Sequence, residues 1–171
     1  MAQRFDWAVA GRTDNPAPVE PENQHTYDLF NITTAEALKY GERPVGINLV
    51  WTDPDSSDNV RFAIKSGGSD ALRYFQPIGI NIRGGGWLVH KVRDYGINLG
   101  WSESPRFEWE LRDDVAQDKA GAGGVVKTGV TLGLYNHVEK DFLMYERRDW
   151  GINLKWYGDA GKHSKWSKLG D

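Results

Sequence analysis

The sequence contains no cysteine, so neither a disulfide framework nor thiolate chemistry at zinc or at a substrate is available to it. That absence favours a reducing compartment. The first seven residues, Met1 to Trp7, lack the apolar core of a secretory signal, and no run approaches the roughly 20 apolar residues of a membrane span. The expected location is the cytoplasm as synthesised, with unconventional release compatible with the same sequence. A net charge of −3 leaves no basic field for a phosphate backbone, so nucleic acid is not an expected partner.

Catalytic and metal-binding signatures are missing too. His25, His90, His137 and His163 show no metal-ligand spacing, and no Gly-x-Ser-x-Gly elbow occurs. The glycine clusters at 84–86 and 121–124 lead into strand-like sequence rather than helices, so they lack the helix N-terminus of a phosphate cradle. The expectation is a chain without catalytic activity, cofactor or metal.

What the chain does contain is repetition. Gly-Ile-Asn-Leu-x-Trp occurs at Gly46–Trp51, Gly96–Trp101 and Gly151–Trp156. Asn48, Asn98 and Asn153 lie 50 and 55 residues apart, and Asn31, Asn81 and Asn136 precede them with the same intervals. Between these anchors Leu38, Leu88 and Leu143 correspond, as do Tyr40, His90 and Tyr145, and Arg43, Arg93 and Arg148. A 21-position template repeated three times in register is internal duplication, and its length variation falls in the intervening loops.

Each unit reads as four short strands with turns between them. In the first, Tyr27–Ile32 and Ala37–Tyr40 flank a turn at Thr33-Thr34, Ile47–Trp51 forms a hairpin with Leu38 and Tyr40, and Val60–Ile64 follows. The second runs through Ile78–Ile82, Trp87–His90, Tyr95–Trp101 and Phe107–Leu111. The third runs through Leu132–Asn136, Phe142–Tyr145 and Trp150–Trp156. A helical turn is expected within Ala71–Gln76. Arg4-Phe5-Asp6-Trp7 resembles Arg106-Phe107-Glu108-Trp109, and Lys165–Leu169 also has the character of a fourth strand, so the two chain ends compete for one place. Asp14–Gln24, with three prolines, reads as a loop.

Three such units within 171 residues imply one all-β domain, with repeats at about 27–76, 77–129 and 130–171 after an N-terminal strand and Pro-rich loop within 1–26. The triplication, the leucine–tyrosine second strand and the Leu-x-Trp third strand resemble the β-trefoil superfamily, in outline its ricin-B, agglutinin and fascin-like members. That resemblance implies a six-stranded barrel with three hairpins; a threefold β-prism is the alternative. The Gln-x-Trp motif of ricin-B repeats is absent from the matching places, Val60-Arg61-Phe62, Arg106–Trp109 and Lys165-Trp166, so family sugar ligands do not transfer to this chain.

Ile47, Leu49, Trp51 and their copies are read as core, and the glycine before each isoleucine as a turn position of positive φ. Asn48, Asn98 and Asn153 fix the hairpins or bind ligand, and Arg43, Arg93 and Arg148 have the same two readings. The tips differ among themselves: Pro44-Val45 in the first, Asp94-Tyr95 in the second, Asp149-Trp150 in the third. A carboxylate beside an aromatic suits a sugar, accepting hydroxyl hydrogen bonds while the ring covers the apolar side of a pyranose; the other reading is a turn aspartate beside a packed aromatic. The template fixes Trp51, Trp101 and Trp156 and strand resemblance accounts for Trp109; of the remaining tryptophans, Trp7, Trp87, Trp150 and Trp166, some are expected to be exposed for binding.

The candidate ligand residues are therefore Asp94, Tyr95, Asp149, Trp150, Arg93, Arg148, Asn98 and Asn153. The expected partner is a glycan or glycoprotein, engaged at two sites with Val45 silent. The alternative is a protein partner, as for an inhibitor or interaction module, with Asp53–Asn59 and Asp113–Gly124 as contact loops.

Overall fold

The computed structural model describes residues 4–10, 26–54, 59–65, 71–113 and 124–158. Twelve strands occur in them: β1 (Trp7–Ala10), β2 (Thr26–Asn31), β3 (Glu36–Tyr40), β4 (Leu49–Thr52), β5 (Val60–Ile64), β6 (Ile78–Ile82), β7 (Gly86–His90), β8 (Leu99–Ser102), β9 (Trp109–Asp113), β10 (Leu132–Asn136), β11 (Asp141–Tyr145) and β12 (Leu154–Trp156). No helix occurs among the described residues.

Pairing runs β1–β2–β5–β6–β9–β10 and returns from β10 to β1, all antiparallel, which closes a six-stranded barrel. Closure removes the unpaired edges that an open sheet of this length would expose. The other six strands form three hairpins, β3–β4, β7–β8 and β11–β12, attached to barrel strands β2, β6 and β10.

Period-two patterning accounts for the barrel interior. Val60, Phe62 and Ile64 of β5 and Ile78, Ile80 and Ile82 of β6 are buried, as are Leu132 and Leu134 of β10. Leu38, Leu88 and Leu143 pair with Trp51, Trp101 and Trp156 across the hairpins, as the shared template requires. Trp156 is buried, whereas Trp51 and Trp101 are half-buried against the core. Those two are therefore less deeply packed than the sequence implies.

The hairpins interlock through aromatic contacts. Tyr40 packs on Trp101, His90 on Trp156 and Tyr145 on Trp51, with ring centroids 6.1, 6.1 and 5.9 Å apart. Each ring reaches the tryptophan of the next hairpin in cyclic order. His90 thus takes the place that tyrosine holds in the other hairpins.

The place contested by the two chain ends is occupied by β1, which pairs along β2 and meets β10 at Leu132. Lys165–Leu169 and the Pro-rich stretch 14–24 lie outside the described residues. The resemblance between Arg4–Trp7 and Arg106–Trp109 has a structural counterpart. Trp7 Nε1 donates to Leu143 O and Trp109 Nε1 to Leu88 O, both at 2.8 Å. Immediately before these tryptophans, Asp6 accepts from Asn31 Nδ2 and the Tyr145 N–H, and Glu108 accepts from Asn136 Nδ2 and the His90 N–H. Trp7 is fully buried, which removes it from the tryptophans expected to face a ligand.

Two local expectations are corrected. Ala71–Gln76 is not helical: Arg73 bridges Val125, and backbone hydrogen bonds tie Tyr74 to Gly124, Phe75 to Leu111 and Val126 to Leu72. Those cross-chain bonds use the groups that a helical turn would satisfy locally. Ile47-Asn48, Ile97-Asn98 and Ile152-Asn153 precede their strands instead of opening them. The N–H of Leu49, Leu99 and Leu154 donates to the carbonyl two residues back, closing a γ-turn around each asparagine.

Candidate functional site

The γ-turn leaves each asparagine side chain beside the loop that it closes. Asn48 Oδ1 accepts the Arg43 N–H, Asn98 Oδ1 that of Arg93 and Asn153 Oδ1 that of Arg148, at 2.9, 2.9 and 2.8 Å. The arginine then folds back over the same loop: Arg43 Nε donates to Leu49 O, Arg93 Nε to Leu99 O and Arg148 Nη1 to Leu154 O. One amide and one guanidinium thus hold each tip by contacts that recur at all three. Burial lowers the Arg43 and Arg93 pKa values from the ordinary arginine value.

The glycines at the tips adopt φ of +83° at Gly46, +80° at Gly96 and +78° at Gly151, a region that side chains with a Cβ avoid. They also touch one another. A Cβ on Gly96 would lie 3.1 Å from Gly46 Cα, one on Gly46 3.5 Å from Gly151 Cα, and one on Gly151 3.6 Å from Gly96 Cα. The three tips therefore converge on one point.

Around that point the variable residues are displayed to solvent. Tyr95 is 46% exposed and Trp150 44%, and the adjacent Asp94 and Asp149 are exposed. Val92 is 76% exposed. A depression of 370 Å³ opens between the first and second tips, lined by Pro44, Val45 and Gly46 on one side and residues 91–95 on the other. Val45 and Asp94-Tyr95 are thus walls of one concavity. Sequence reading treats them as separate tips, because nothing along the chain signals the contact.

Of the sequence candidates, Asp94, Tyr95, Asp149 and Trp150 lie on this surface, while Arg93, Arg148, Asn98 and Asn153 lie directly beneath it and hold the tips. Trp87 is half-buried on β7, and Trp166 lies outside the described residues. Of the two candidate contact loops, residues 55–58 and 114–123 lie outside the described residues.

A second polar cluster joins β7, β9 and the turn between β10 and β11. His90 Nε2 lies 3.2 Å from Glu139 Oε1, His137 Nε2 pairs with Glu110 Oε2, and Arg112 bridges to Glu110 while its guanidinium covers the Tyr135 ring. Among the described residues no group of three His, Asp or Glu side chains is placed to hold a metal ion. No helix among them is long and apolar enough to cross a membrane.

Compared with known protein families, with curated proteins and with solved structures, the chain matches none.

Proposed function

We propose that the chain is a non-catalytic β-trefoil that binds carbohydrate at its hairpin tips. The trefoil reading rests on the closed six-stranded barrel, the three attached hairpins and the thrice-repeated asparagine, arginine and glycine contacts. Fold likeness alone does not carry function, so the binding reading must stand on the site.

The observation that carries it is the display of Tyr95 beside Asp94 and of Trp150 beside Asp149, with both aromatic residues nearly half exposed, on tips held by internal hydrogen bonds. Large aromatic side chains are ordinarily buried where a core can take them. At these places a pyranose would stack against the ring, with the neighbouring carboxylate accepting from its hydroxyls. Because Asn98, Asn153 and the two arginines already order the tips, little conformational entropy remains to be lost on binding. The Asn and Arg residues contribute to binding by positioning the tips.

A glycan array run beside a panel of proteases tests this reading. Binding to a related set of glycans, with no protease inhibited, is the expected result. Tight binding to one protease without any glycan signal would transfer the function to the loops around 53–59 and 113–124.

A further inference from the structure

Two acid–aromatic tips imply, from sequence alone, two independent sugar sites. The geometry points to one. We infer that the three tips form a single composite site for one neutral oligosaccharide of at least two rings, with Pro44 and Val45 as part of its wall. This inference rests on the carbohydrate reading of the tips.

Independent sites need separation, and the tips have none. Gly96 and Gly151 are in contact, and each is followed back along the chain by its aromatic residue, so the Tyr95 and Trp150 Cα atoms lie within about 13 Å of each other. Two aromatic platforms at that spacing on one surface suit successive rings of one chain of sugars. Two oligosaccharides bound at once would compete for the shared centre.

The first tip supports the same conclusion. It has neither acid nor aromatic, but Pro44, Val45 and Gly46 line the depression opposite Asp94 and Tyr95. Gly151 approaches the first tip as well, its added Cβ lying 3.8 Å from Val45 O. The third tip therefore adjoins the same wall. A ring stacked on Tyr95 has the apolar Val45 side of the depression facing it, while the exposed Val92 extends the apolar surface outward.

Charge selects among sugars. Over residues 42–45, 91–95 and 146–150 there are five cations, Arg43, Lys91, Arg93, Arg147 and Arg148, against four carboxylates, Glu42, Asp94, Glu146 and Asp149. Two of the arginines already spend Nε, and a third Nη1, on backbone carbonyls. The excess is a single positive charge, and three of the arginines have donors committed to the loop, so the surface offers no cation cluster that would favour a sulfated or sialylated ligand over a neutral one.

Calorimetry on the whole chain, with lactose, cellobiose, chitobiose and mannobiose set against their constituent monosaccharides, tests the inference. One ligand per chain is expected, with the preferred disaccharide at least about tenfold tighter than either of its monosaccharides. Val45→Trp should weaken that disaccharide by about tenfold or more by filling the depression. Pro44→Trp, at an exposed position, provides the same block should the Val45 variant not fold. Tyr95→Ala and Trp150→Ala should each lower the affinity while the stoichiometry stays at one. Two ligands per chain, equal affinity for mono- and disaccharides, indifference to both blocking variants, or binding confined to sialylated or sulfated glycans on an array would overturn the composite site and leave the carbohydrate reading standing. No binding to any of these sugars, with an empty array, would overturn both.

Discussion

Gly46 and Gly96 approach so closely that a Cβ on Gly96 would lie 3.1 Å from Gly46 Cα, and both have φ near +80°. Two separate constraints therefore select glycine there, backbone conformation and contact between hairpins. Gly96→Ala should cost roughly 2 to 4 kcal/mol, combining left-handed backbone strain with overpacking. Gly124, with nothing within 4 Å of an added Cβ, serves as the control and should tolerate alanine with little change. Urea denaturation of the two variants gives the comparison, and equal stability would mean that the tips do not meet as described.

The same logic separates the two readings of the asparagines. Asn48→Ala, Asn98→Ala and Asn153→Ala each remove an acceptor from one arginine N–H, so each should destabilise by about 1 to 2 kcal/mol and by similar amounts. Residues acting only as ligands would show lost binding at unchanged stability. Thermal unfolding with a binding assay on the same samples distinguishes the cases.

Burial ranks the tryptophans. Trp109, fully buried and donating to Leu88 O, should cost about 3 to 5 kcal/mol on truncation to alanine, and half-buried Trp101 less. Denaturant midpoints at an unchanged m-value give that order directly. The reverse order would place the core elsewhere.

Asp6 carries the pH prediction. The residue is 1% exposed, and Oδ2 accepts from Asn31 and Tyr145 while Oδ1 has no donor. Burial raises its pKa above the ordinary carboxylate value, outweighing those hydrogen bonds. The folded state then holds the proton more tightly than the unfolded chain, so this group's contribution to stability falls as pH rises from the unfolded to the folded pKa. Above that window the charged carboxylate carries its full penalty. Asp6→Asn keeps an acceptor for both donors and removes the charge, and Asn59 already holds the corresponding place before Val60 in β5. The variant should melt a few degrees higher than the parent at neutral pH, with the advantage shrinking on acidification. A lower melting temperature at neutral pH would show that the charged form is the one the site favours.

How far the chain could be read in advance depends on whether a feature repeats along it. The template of Asn48, Asn98 and Asn153 placed the hairpins, because three copies in register share one local geometry. Contacts across hairpins were hidden. Val45 differs from Tyr95 and Trp150 in sequence, and only the convergence of the glycines makes it their neighbour. The carboxylates before the barrel tryptophans were half visible. Arg4–Trp7 resembles Arg106–Trp109, but Asn59-Val60 has neither the acid nor the ring, and loops of unequal length break the spacing to the next asparagine. Trp7 is consequently not separable by sequence from Trp87, Trp150 and Trp166, of which some are expected to be exposed, although it belongs to the barrel core.

On the carbohydrate reading, the exposed Tyr95 and Trp150 bind sugar and do not serve the core. That reading is tested most directly by titrating the Tyr95→Ala/Trp150→Ala double variant with a glycan that binds the parent chain, alongside its melting curve. Binding should be abolished while the melting temperature stays within a few degrees of the parent, since neither residue is buried. Undiminished binding in the double variant, or a collapse in stability like that of a buried tryptophan, would contradict it.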